Sequence, residues 1–208
     1  MKKLFTITIT LLSLLQLSAQ NDLATKNGFS IDLEFGFPTG KYGAISKDQF
    51  DYDVIYGLQV GNRWYVKRFE KSGIAVMANW ISAGFTQKKA HGITATGIEL
   101  TFVEVGGMYS YAIGQDMAID GYYNLEPTIL ITDAVNQYKD GNEGIGGYGF
   151  GHALGAAFRY KIFNVGLEYH FGSIEATTET LEDIPSVDQL PDGKIDTSHL
   201  KLVLGVKF

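Results

Sequence analysis

Histidines and carboxylates are the side chains with the most chemical promise here, because the 208-residue sequence has no cysteine. The four histidines are His91, His152, His170 and His199. In "EYHFGS", residues 168–173, His170 and Ser173 offer a base and a nucleophile. Such a pair must come within hydrogen-bond reach, and on a strand two residues three apart point to opposite faces, so a bulge would be needed. "DQLPDGKID", residues 188–196, carries half of a calcium loop in Asp188, Asp192, Gly193 and Asp196. Leu190 stands where an oxygen ligand belongs and His199 where a bidentate glutamate belongs, so a solvated acidic loop is expected. Gly144, Gly146, Gly147, Gly149 and Gly151 form a glycine-rich run. It leads into a strand and not a helix, so phosphate has no helix terminus to use, and a hairpin tip is expected. The sequence contains no GxSxG, HExxH, Walker or Rossmann glycine signature. No catalytic residue, metal ligand or cofactor is assigned, and the chain reads as a non-enzyme.

The elements that must position these residues have a period of two. In "FSIDLEFGF", residues 29–37, Phe29, Ile31, Leu33, Phe35 and Phe37 share one parity, and Ser30, Asp32, Glu34 and Gly36 the other. That is a β-strand with one apolar and one polar face. The rhythm returns over 54–64, 148–160, 165–171 and 200–208. Residues 73–85, 96–110 and 116–131 repeat it less cleanly: Glu104 falls on the wrong parity, which a bulge would correct, and Pro127 is expected to weaken pairing. Eight strands result. The connections alternate between short (67–73, 112–115, 162–164) and long (38–52, 86–95, 132–147, 173–196). The polar parity collects Asp32, Glu34, Arg63, Glu99, Asp120, Glu126, Arg159, Lys161, Glu168, Lys201 and Lys207, six acids against five bases. A soluble sandwich also alternates, but apolar spans of about 10 residues with terminal aromatics match tilted strands crossing a bilayer.

Composition bounds the function. The start "MKKLFTITITLLSLLQLSAQ" reads as a signal peptide over residues 1–19, with Lys2 and Lys3 before an apolar core and Ala19 at the cleavage point. Residues 20–208 then form one domain. Without Lys2 and Lys3 the formal net charge of −6 becomes −8, which argues against nucleic-acid binding. The loop over 173–198 carries seven acids against Lys194 alone.

The strand rhythm, the loop alternation and the ending "LKLVLGVKF" together resemble the small outer-membrane β-barrel proteins of Gram-negative bacteria. The likeness is to the eight-stranded types similar to OmpX and the OmpA transmembrane domain, and to the Bacteroidetes outer-membrane barrel-domain family. It implies an all-β, antiparallel, closed eight-stranded barrel reached by way of the periplasm, with lipid around it. It also implies that Leu200, Leu202, Leu204, Val206 and Phe208 form an assembly signal read by the barrel-insertion machinery. An eight-stranded barrel has room for little more than its own side chains, so a cross-linked polar plug is expected, with Arg63, Tyr122 or Arg159 filling the space beside Gly149, Gly151 and Gly155. The expected role is structural or one of surface contact, through loop aromatics such as Tyr42, Phe50, Tyr52 and Tyr138, in a monomer. A narrow channel for small solutes is second, and a lipid-modifying enzyme third.

Overall fold

The computed structural model describes residues 25–39, 53–90, 93–136, 142–176 and 194–208, and every regular element among them is a strand. In chain order these are β1 (Gly28–Pro38), β2 (Ile55–Arg68), β3 (Ser72–Ala90), β4 (Ile93–Gly114), β5 (Met117–Asn136), β6 (Asn142–Tyr160), β7 (Phe163–Ala176), β8 (Lys194–Asp196) and β9 (His199–Lys207). The segments 1–24, 40–52, 91–92, 137–141 and 177–193, with Tyr42, Phe50, Tyr52, His91, Tyr138 and most of the calcium-like stretch, lie outside the described residues.

Every pairing is antiparallel, and β1 to β7 each bond to the next strand in sequence. β9 then bonds to both β7 and β1, so eight strands form a ring. The three-residue β8 continues the line of β9 along β7. The pairs Gly28–Arg63, Arg63–Met77, Met77–Gly106, Gly106–Asn124, Asn124–Ala153, Ala153–His170, His170–His199 and His199–Pro38 lead once around it. The path returns to β1 at Pro38, ten residues beyond Gly28. For eight strands at ~4.8 Å spacing and ~3.3 Å rise, that stagger sets a tilt of roughly 40° and a radius of roughly 8 Å.

The two parities separate as the alternation requires, and the polar one faces inward. Leu33, Tyr56, Leu58, Tyr148, Phe150, Leu154 and Leu167 point outward and are exposed, whereas Asp32, Glu34, Asp120, Glu126 and Glu168 point inward and are buried. The short connections hold: β2–β3, β4–β5 and β6–β7 turn at 69–71, 115–116 and 161–162, all at one end of the ring. We call this the turn end and the other the loop end.

Three expectations change. The connections placed at 86–95 and 132–147 are largely strand, since β3 and β4 stay paired as far as Ala90–Ile93, and β5 and β6 as far as Val135–Asn142. The glycine-rich run is therefore not a hairpin tip: Gly146, Gly147, Gly149 and Gly151 sit in β6, paired on both sides or one. Lys161 is not in the interior. It occupies the β6–β7 turn with φ 54°, exposed, its ammonium 5.5 Å from the Tyr160 ring. Parity counting carried the strand one residue too far there.

The bulge required by Glu104 is present. The β4–β5 register shifts between Thr101 and Val105, and Val103 takes φ 55°, a left-handed conformation that a β-branched residue adopts only at a cost of about 1–3 kcal/mol. Phe102 and Val103 are both exposed, and Glu104 turns inward to 1% exposure. Pro127 lies opposite this irregularity on the β4 side, yet on the β6 side it keeps its place opposite Phe150.

Candidate functional site

The interior of the ring is the only place where the described chain gathers polar side chains from every strand, and it is organised in layers. Nearest the turn end, Arg159 holds Asp120 with two nitrogens, Nη2 lying 2.9 Å from Oδ1, and also donates to Tyr65 Oη at 3.1 Å. Tyr65 Oη and Ser110 Oγ are 2.7 Å apart. Arg63 approaches Asp120 at 3.7 Å, and the Lys207 ammonium lies 5.0 Å from the Tyr65 ring. Asn164 donates to Asp32 at 3.0 Å. Met77, Met108, Ala75 and Ala157 pack around Tyr65 and Tyr122 to form the small apolar core of this layer.

The middle layer is acidic. Glu104 accepts from Gln59 at 2.9 Å, from Asn79 at 2.7 Å and from Asn124. Three donors converging on one carboxylate explain why the chain tolerates the strained bulge that brings Glu104 inside. Lys201, from β9, is shared by Glu168 at 3.2 Å, Glu126 at 3.8 Å and Glu34 at 3.9 Å, and Glu34 also accepts from Ser82 at 3.0 Å.

Toward the loop end, His170 is bonded through Nδ1 to Glu126 and faces Thr197 Oγ1 across 3.1 Å from Nε2. His199 stacks on it with ring centroids 4.7 Å apart, and its Nδ1–H donates to the Thr197 carbonyl at 2.8 Å. Above this layer Ile55, Leu130, Ile174 and Ile195 are buried, an apolar layer at an otherwise polar interior. A cavity of about 10 Å³, room for about one water, lies among Glu34, Ile55, Glu99, His199 and Lys201.

Glycine and bulk alternate across the interior as expected beside strand β6. The Tyr122 ring lies directly over Gly155 and the His170 ring over Gly151, so a side chain at either glycine would collide with a buried ring. Of the eleven charged residues expected inside, Asp32, Glu34, Arg63, Glu99, Asp120, Glu126, Arg159, Glu168, Lys201 and Lys207 are buried there, and only Lys161 is not. Parity puts Gln59 and Asn124 on the inward face, but it does not place Glu104 or Asn79 there; for Glu104 an acid in the apolar phase of a strand was the available signal. His170 and Ser173 lie on opposite faces, His170 buried and Ser173 exposed, so they do not form a nucleophile–base pair. Asp196, from the calcium-like stretch, accepts from the Ser198 backbone N–H at 2.8 Å. The tail residues Leu200, Leu202, Leu204, Val206 and Phe208 share the outer face of β9 and its end, with Phe208 against Phe29 at 6.2 Å.

An eight-strand antiparallel ring, polar within and apolar without, has the architecture of the small outer-membrane β-barrels. No protein-family model and no curated protein matches the chain. Among solved structures it is similar to the attachment invasion locus protein Ail of Yersinia pestis, at 12% identity and TM-score 0.46 over 88% of this chain and 97% of that one. It is also similar to a major outer membrane protein of Thermus thermophilus, at 14% identity and TM-score 0.49 over 88% of this chain and 100% of that one.

Proposed function

We propose that this chain is an integral outer-membrane barrel with a filled interior, supporting the envelope and offering its loops as a contact surface. The apolar outer face supports the location: from Tyr148 to Tyr160, twelve residue steps along β6 rise roughly 30 Å at the tilt above, enough for the ~25 Å apolar belt with a tyrosine at each end. The observation that carries the filled interior is Lys201, buried and shared among three glutamates from three other strands, beneath an isoleucine and leucine layer. A conducting path would have to break those ion pairs in a low dielectric. Single-channel recording of the mature chain in a planar bilayer tests this, with a boiled-versus-unboiled gel shift to confirm folding. Folded protein should give no steps; discrete ohmic steps would put the narrow solute channel first.

The last strand supports a second role as an assembly address. Its outward leucines and Phe208 lie between β7 and β1, the two strands it must join for the ring to form. Phe208→Ala should slow insertion by the cell's barrel-insertion machinery while leaving spontaneous refolding into short-chain lipid unchanged. Equal insertion rates in cells for both forms would remove the address reading.

A further inference from the structure

Glu99 on β4, His170 on β7 and His199 on β9 come from three separate strands and are all buried, with one candidate ligand atom from each lying within 4.8 Å of the other two. We propose that these three side chains form a site for a divalent transition-metal ion of zinc type inside the barrel. Two imidazoles and a carboxylate are a donor set that zinc and its neighbours accept, whereas calcium and magnesium prefer oxygen alone.

The surroundings point the same way. Metal-binding histidines characteristically donate their second ring nitrogen to a carboxylate or a backbone carbonyl, which fixes the tautomer and aims the first. Both forms occur here: His170 Nδ1 bonds to Glu126, and His199 Nδ1 bonds to the Thr197 carbonyl at 2.8 Å. In this arrangement Nε2 is the metal-facing atom of each ring, and His170 exchanges its 3.1 Å contact with the Thr197 hydroxyl for the ion. The small cavity bordered by Glu99 and His199 has room for about one water as a further ligand. Gly57 and Gly84, which line the same cavity, leave that space open between Glu34 and Glu99.

Charge supplies an independent reason. The middle and loop-side layers bury Glu34, Glu99, Glu104, Glu126 and Glu168, and Lys201 is the ammonium that Glu34, Glu126 and Glu168 share. The turn-side layer is different, with Arg63, Arg159 and Lys207 facing Asp32 and Asp120. A dication among the glutamates offsets part of a buried acidic excess that is otherwise costly. It also ties β4, β7 and β9 together just below the apolar layer.

The test is to refold the full mature chain with Zn²⁺ or Co²⁺, remove free metal by dialysis, and measure bound metal per folded chain. About one equivalent is expected, with Co²⁺ giving the visible absorption of a low-coordinate nitrogen–oxygen site. His199→Ala should weaken binding at least ~10-fold, and so should Glu99→Gln, which keeps size and spares the fold if the histidine variant does not refold. His152→Ala should bind as the parent does, since that ring lies on the outer face beside Tyr123. Folded parent that retains no metal would overturn the site, as would Glu99→Gln and His199→Ala binding undiminished.

Discussion

Lys201→Met is expected to destabilise the folded chain by about 3–5 kcal/mol, the usual cost of removing one partner from a buried ion pair. Methionine keeps most of the volume and the flexible stem, so the loss is electrostatic rather than a cavity effect. Glu34, Glu126 and Glu168 approach the lysine within 3.9 Å and are themselves at most 5% exposed, so none can turn to water when the ammonium goes. Equilibrium unfolding by guanidinium in lipid, followed through the gel shift, gives the number. A second substitution separates charge from packing: Glu168→Gln in the Lys201→Met background should recover part of the loss, because the closest unpaired carboxylate has become neutral. A loss below about 1 kcal/mol, or strict additivity of the two changes, would mean that the carboxylates find other partners and that Lys201 does not hold the plug together.

The sequence made the outline of this fold legible because a period of two is nearly immune to noise. Leu33 and Leu154 could be assigned to one face and Asp32 and Glu168 to the other with no knowledge of partners. It was less informative where strand and loop have the same composition. Residues 86–95 and 132–147 are polar and glycine-containing, and those described, 86–90, 93–95, 132–136 and 142–147, pair beyond the apolar belt, where no hydrophobic face is required to mark a strand. Lys161 shows the converse error, since a parity count cannot detect that a strand has already turned. Glu104 was flagged by its wrong phase, but its three amide donors come from β2, β3 and β5, and nothing local announces them. Glu99, His170 and His199 are farther still from legibility. Each is an ordinary inward polar residue in its own strand: His170 and His199 meet only because β7 pairs with β9, and Glu99 reaches them from β4, a strand that bonds to neither.

Leu154→Arg provides the largest contrast between a chain folded in lipid and one folded in water. Leu154 is on the outer face near the middle of β6, and its side chain is 60% exposed. On a water-soluble protein, an exposed leucine replaced by arginine changes stability by about ±0.5 kcal/mol. At the midplane of a bilayer the same change costs about 2–4 kcal/mol, because the guanidinium must either enter hydrocarbon or draw water and headgroups toward it. The cost should fall toward zero along the strand, so Tyr160→Arg, at the turn end of β6, should be nearly neutral. Guanidinium unfolding of both variants in bilayers of one thickness would give this gradient directly. If Leu154→Arg and Tyr160→Arg cost the same small amount, the outer face does not meet hydrocarbon, and the ring would need another explanation for a surface on which Leu33, Leu58, Phe150, Leu154 and Leu167 are all exposed together.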